Sequence, residues 1–299
     1  MKKWKWTALF LAVIMCGAVL ISGCSTKKSD TIRIATKPMT EQFILSEMLA
    51  ALIEKDTDLK VEITKGIAGG TGNIHPAMVK GDFDLYPEYT GTAWTDVLKN
   101  TTVESPDDMY QKLQEQYKEQ FDMDWVGLYG FNNTYTLAVS KDFAGKNSLE
   151  SFSDLAALSP DLKFGAEYDF YEREDGYDPL CAAYGFDFAS TKDLDIGMKY
   201  KAIGEEQVDV INAFTTDGLL EVYDLKTLKD DKNFFQSYYC GTVVRQEVLD
   251  EHPELRDVLM KMEGILTDEE MAKLNSRVDN DKENEKDVAV EFLQQKGLL

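Results

Sequence analysis

The stretch GDFDLYPEYTGT, residues 81–92, sets an aromatic ring at Tyr89 three residues before a hydroxyl at Thr92. A ring face attracts cations through its quadrupole, by about 0.5–1 kcal/mol where exposed and by ~2 or more where water is excluded. A hydroxyl offers a carboxylate or carbonyl a hydrogen bond. The same stretch holds Asp82, Asp84 and Glu88, which could suggest paired carboxylates for acid–base work. No nucleophile motif lies beside them, so they read as structural or exposed groups. The chemistry on offer is recognition of a small molecule.

Such a loop needs a rigid support. Asp82–Tyr86 alternates polar and apolar residues and reads as a short strand, with Pro87 expected to stop its ladder because proline has no N–H to donate. Upstream, Thr31–Ala35 is a β-branched strand, Thr40 caps a helix running to about Lys55, and Leu59–Thr64 is a second strand. GIAGGTGN then lacks the Gly-Lys-Ser/Thr ending of a phosphate loop and reads as a turn into a helix Ile74–Lys80, ended by Gly81. Strand alternating with helix makes an α/β lobe. Further along, Ser105-Pro106 starts a helix, Trp125–Tyr129 and Tyr135–Ser140 are strands either side of Gly130–Asn133, and SFSDLAAL is helical. Lys163–Ala166, Val208–Phe214 and Thr242–Arg245 are strands, Asp178–Tyr184 is a helix, and the tail from the Thr267 capping box onward is helical. No repeat and no internal linker appears, as expected for two α/β lobes between which the chain crosses more than once.

The first residues give an address. MKKWKW is a positive start, TALFLAVIMCGAVLI an apolar run short for a membrane span, and ISGC a cleavage site ending in Cys24. Ile21–Cys24 resembles the bacterial lipobox, which implies a signal peptide over 1–23, diacylglycerol on Cys24 and a tether over 24–30. The formal charge of −22 weighs against a nucleic-acid partner, since phosphates reward clustered Lys and Arg. Its plain reading is a well-hydrated exterior. Cys181 and Cys240 remain in the body, where a disulfide or two free thiols are both chemically open. His75 and His252 each stand beside a proline with no second ligand at metal spacing, so neither a metal nor a cofactor is expected.

Several motifs in one order, IATKPMTEQFILSEML, GDFDLYPEYTGT, FNNTYTL, EREDGY, TTDG and VYDLKTLKDDKNFF, resemble the substrate-binding lipoproteins of ABC importers for quaternary ammonium osmoprotectants. The resemblance runs from about Thr31 to the C-terminus. It implies a two-lobed, type II periplasmic-binding-protein clamshell, with lobe 1 over 31–131 plus 233–299 and lobe 2 over 132–232. It implies a cage of tyrosines at Tyr89, Tyr135, Tyr200 and Tyr223, with Tyr184 as the alternative to Tyr200. It implies that the ligand carboxylate meets Lys37, Thr92 and Arg173, and that Asn133 touches the ligand through its backbone. Some relatives carry glutamine at the Lys37 position and lack the arginine, which places this chain with a more basic subgroup. The implied partners are a betaine-type ligand, separate permease subunits with a cytoplasmic ATPase, and the membrane through the lipid anchor. The implied protein is a monomer on the extracytoplasmic face and not an enzyme.

The residue types suit that ligand on physical grounds. A quaternary ammonium cannot donate a hydrogen bond, so ring faces hold it, while Arg, Lys and hydroxyl groups suit the carboxylate. Lys37 and Arg173 would be left unmatched by choline, so the expected order is betaines, carnitine, choline. Against this stand bland readings: among fourteen tyrosines most are core or rim residues, Lys37 could be solvated, and Arg173 could pair with its acidic neighbours. Three rival functions are a choline-preferring binder, a lipoprotein with a structural or sensory role, and a hydrolase, which would need the absent G-x-S-x-G.

Overall fold

Two five-stranded sheets, each with helices on both faces, are joined by two crossings of the chain. The computed structural model describes residues 30–100, 105–167, 170–171 and 176–299. The expected signal, Cys24, the tether up to residue 29, and Arg173 lie outside the described residues.

The first sheet has the order β2-β1-β3-β10-β4. Its strands are β1 (Thr31–Ala35), β2 (Lys60–Thr64), β3 (Leu85–Tyr89), β4 (Met123–Asn132) and β10 (Tyr239–Arg245). The second sheet has the order β7-β6-β8-β5-β9. It is made of β5 (Tyr135–Ser140), β6 (Lys163–Ala166), β7 (Ser190–Asp193), β8 (Val210–Phe214) and β9 (Leu225–Leu228). The chain leaves the first sheet after Asn132 and returns between Leu228 and Tyr239. Each sheet mixes parallel arms, which need helical crossovers, with antiparallel strands at the crossings. The result is the two-lobed α/β clamshell that the motif order implied.

Six helices position the cleft and its supports: α1 (Thr40–Asp56), α2 (Thr71–Lys80), α3 (Pro106–Phe121), α4 (Ile196–Gly204), α5 (Asp268–Asp279) and α6 (Glu285–Gln295). On one face of the first sheet α1 packs over β2 and β3, and α5 and α6 cover its outer side. It is therefore buried nearly all round and not on one face alone. On the opposite face α2 and α3 enclose Ile74, Met78, Leu113 and Tyr117 against Tyr86 and Trp125. At α3 the hydroxyl of Ser105 accepts from Asp108 N, and Thr267 and Glu270 form the expected capping box at α5.

Two local expectations need correction. Pro87 does not end the strand; it lies inside β3, opposite Thr242 of β10. β1 pairs with β3 only at Ile34–Leu85, so beyond Leu85 the strand has one partner and the proline can turn its missing donor to the open side. Thr40 does not cap α1 either, because Met39 occupies the N-cap position. The Thr40 hydroxyl instead donates to Asp279 Oδ1 at 2.6 Å, tying α1 to α5. Cys181 and Cys240 are both free thiols, the second wholly buried in β10. Among the described residues no helix is long and apolar enough to cross a membrane.

Candidate functional site

Strand ends from both lobes converge on one cleft of about 290 Å³, lined by Lys37, Met39, Tyr89, Thr92, Asn133, Tyr135, Phe214 and Tyr238. Lys37 and Met39 come from the β1–α1 turn and Tyr89 from the end of β3; Thr92 lies in the helical turn Thr90–Thr92 that follows directly, not in the loop expected there. Tyr135 opens β5 and Phe214 closes β8; the two are register partners in an antiparallel pair. Partners in such a pair project to the same face of the sheet, and their rings stand 4.5 Å apart between centroids at 34°. Tyr238 arrives on the returning crossing, just before β10. It can come close because Gly91 has no side chain: a Cβ there would lie 2.7 Å from Ser237 O and 2.7 Å from Tyr238 Cε1.

The lobe 1 wall is electrostatically structured. Lys37 Nζ bonds Glu88 Oε1 in an ion pair whose carboxylate is fully buried, and Thr71 Oγ1 donates to the other oxygen at 2.6 Å. The same ammonium lies over the Tyr89 ring, 4.6 Å from its centroid. One face of Tyr89 is therefore already taken by a cation whose charge Glu88 balances. The Tyr89 hydroxyl donates to Glu41 Oε1 at 2.5 Å, and Asn133 Nδ2 donates to the same oxygen at 3.1 Å. Asn275 Nδ2 reaches Glu41 Oε2 at 3.3 Å. Burial raises the Glu41 carboxyl above its ordinary 4.5, and the donors around it oppose that rise. Burial also raises the Tyr89 phenol, so its ring is neutral and its proton stays on the hydroxyl.

Four residues named from the sequence meet here: Tyr89, Tyr135, Lys37 and Thr92, with Asn133 beside them. The Asn133 N–H is bound to Tyr238 O at 3.2 Å, so a backbone contribution from this residue falls to its carbonyl.

Tyr200 and Tyr223 do not line this cleft. Tyr200 is 1% exposed, packed in the lobe 2 core, and its hydroxyl donates to Asp217 Oδ2. That same oxygen accepts from Phe214 N at 3.0 Å, so Tyr200 stands one layer behind the ring at Phe214. Tyr223 lies against Tyr200 with centroids 6.3 Å apart and closes over Gly204 at the end of α4. It lines a separate surface cleft with Ile203 and Asp224. Tyr184, the alternative to Tyr200, accepts from Lys232 N at 2.7 Å and bonds Asp230, also away from the cleft.

Phe214, Tyr238 and Glu41 were missed, and Glu88, read as structural or exposed, is a fully buried partner of Lys37. Signals existed for some of them: Phe214 ends the strand before TTDG, Glu41 lies within TKPMTEQ, and Glu88 lies within the opening motif itself. Tyr238, in FFQSYYC, had none.

Comparison with known proteins matches residues 30–295 to the OpuAC family, described as the substrate binding domain of ABC-type glycine betaine transport system. The chain is 43% identical over 291 residues to a Helicobacter pylori protein named ergothioneine transport permease/ergothioneine binding protein EgtU. That alignment takes 97% of this chain and 52% of the relative, so the chain spans about half of that protein's length. It is 37% identical over 306 residues to the carnitine transport binding protein OpuCC of Listeria monocytogenes, covering 100% of this chain and 99% of the other. A crystal structure described as a glycine betaine/carnitine/choline ABC transporter superimposes with TM-score 0.85 at 36% identity, over 89% of this chain and 99% of that one.

Proposed function

This chain belongs to the family of substrate-binding domains of ABC-type glycine betaine transport systems, and on that premise we propose that its cleft captures trimethylammonium carboxylates for import. The observation that carries the reading is the convergence of four aromatic side chains with an ammonium and a hydroxyl in one cleft of about 290 Å³. Tyr89, Tyr135, Phe214 and Tyr238 wall the ligand's methylated cation, and Lys37 and Thr92 meet its carboxylate. Arg173, which lies outside the described residues, is the third partner proposed for that carboxylate. The physical fit is direct: ring faces satisfy a cation that has no N–H, and donors satisfy the opposite end.

Lobe 1 comprises residues 31–131 and 233–299, lobe 2 residues 132–232, and closure of one on the other shuts water out of the cage. The signal 1–23 is removed, Cys24 carries the lipid, and 24–30 tether a monomer to the extracytoplasmic face of the membrane. Separate permease chains and their cytoplasmic ATPase take the ligand onward, and the protein itself performs no chemistry.

Glycine betaine, carnitine and ergothioneine all pair a trimethylammonium with a carboxylate, whereas choline has only the cation. Calorimetric titration of the purified protein with these four ligands tests the reading. Binding of one or more carboxylates, at least about tenfold tighter than choline, supports both ends of the site. Choline binding as tightly as the best carboxylate keeps the cage and removes Lys37, Thr92 and Arg173 from it. No binding of any of the four by a folded sample overturns the reading.

A further inference from the structure

Glu41 is the charged group in the cleft wall that the ligand contacts do not explain. It is 3% exposed, in the first turn of α1, where the helix dipole favours an anion. Tyr89 and Asn133 donate to Oε1, and Asn275 donates to Oε2. Asn275 Nδ2 also donates to Thr216 O at 2.9 Å, which fixes the orientation of that amide. Tyr89, Asn133, Thr216 and Asn275 all hydrogen-bond the carboxyl group, and these bonds oppose the rise that burial imposes. Among the described residues it makes no ion pair, in contrast to Glu88, which Lys37 neutralises. The wall therefore holds one carboxyl in an ion pair and one that is held by hydrogen bonds alone among the described residues.

We propose that Glu41 is the counter-charge of the ligand's ammonium, acting through Tyr89 as a positioning residue. This rests on the trimethylammonium reading of the cleft. A phenol whose proton is drawn toward a carboxylate leaves more electron density on its ring, and the ring face attracts a cation more strongly. The same bond fixes the ring's rotation, and Asn133 anchors the carboxylate to the segment that crosses between lobes. Glu41 thus reads the charge of the ligand's head and not merely its shape. A direct carboxylate contact would attract any cation; one placed behind a ring keeps the selectivity for methylated cations that have no hydrogen to donate.

The test separates charge from shape. Glycine betaine and its carbon isostere 3,3-dimethylbutyrate share a carboxylate and a head of the same form, but the isostere's head is neutral. Both are titrated into the wild-type protein, Glu41→Gln and Tyr89→Phe, with melting temperature recorded for each. Glu41→Gln keeps an acceptor for the phenol and removes the charge. It is expected to weaken betaine by about tenfold while moving the isostere by no more than about twofold. Tyr89→Phe breaks the relay from the other side and is expected to show the same selective loss, so a Glu41 variant that fails to fold leaves the question answerable. Equal loss of both ligands in the variants would make Glu41 a structural residue and overturn the proposal, as would no loss at all. A wild type that binds betaine and the isostere equally, or that binds neither of them nor carnitine nor ergothioneine, overturns the trimethylammonium reading first and this role with it. A wild type that prefers betaine sustains that reading, and the variants then decide the role of Glu41 alone.

Discussion

Two tyrosines in this molecule have nearly the same immediate surroundings and different consequences. Tyr89 donates its hydroxyl to the buried carboxylate of Glu41; Tyr200 donates its hydroxyl to the buried carboxylate of Asp217. Tyr89 stands at a strand end where its ring borders the cleft. Tyr200 sits on α4, 1% exposed, with Ala202, Ile203 and Tyr223 around it. What separates a ring that lines the cleft from one in the core is therefore not the residue or its partner, but which element carries it. Strand ends face the gap between the sheets, whereas α4 packs on the flank of β6 and β8. The second pair is still connected to the site, since Asp217 also holds the backbone of Phe214.

The contrast is sharpest for ring removal. Tyr135→Ala should weaken the best carboxylate ligand by about a hundredfold, with one desolvated ring lost from the cage. Tyr200→Phe should leave affinity within about threefold. It should instead cost roughly 1–3 kcal/mol in denaturant unfolding, because Asp217 loses a donor in a buried place. Equal affinity losses in the two variants would erase the difference between contact and support.

Two glycines extend the contrast at a smaller scale. Gly91→Ala drives a methyl against the backbone at Ser237 and the ring of Tyr238, so affinity should fall by about tenfold. Gly204→Ala meets Tyr223 Cδ1 at 2.7 Å and should lower the melting temperature while leaving calorimetric affinity unchanged. A Gly204 variant that binds poorly would bring Tyr223 back into the ligand's reach.

The smallest effect is in pH. Burial raises the Asp217 carboxyl from its ordinary 3.8. Above that value the unfolded chain has released a proton that the folded chain still holds, so this group's contribution is greatest at low pH and declines as pH rises. Asp217→Asn keeps the acceptor for Tyr200 and Phe214 and removes the titration. Its melting temperature relative to wild type should therefore climb from about pH 4 upward, by roughly 2–4 °C for each kcal/mol involved. A flat difference would mean that Asp217 titrates alike in both states.

Much of the frame was legible along the chain because it depends on local pattern. Lys163–Ala166 and Tyr135–Ser140 are strands at the bounds their β-branched and apolar residues suggest. Ser105 and Thr267 start helices through their own hydroxyls. Ser190–Asp193 escaped notice because STKD is exposed along its whole length and shows no apolar alternation; it is held only as an edge beside β6. Leu225–Leu228 was likewise too short to announce itself and is held by β5.

The sequence by itself determined the two-lobed α/β architecture, the family, and those cleft-lining residues that sit in compact motifs, Tyr89 with Thr92 and Lys37 before the first helix. Local hydrogen bonding and side-chain alternation act over a few residues, so their marks are written contiguously. Only the tertiary structure decided which aromatics share the cleft. Phe214 faces Tyr135 because of antiparallel register, and Tyr238 arrives because Gly91 leaves room for it. Tyr200 and Tyr223 are drawn into the lobe 2 core by the packing of α4. Register, close approach and burial are properties of segments distant in sequence, and no single stretch of the chain encodes them alone.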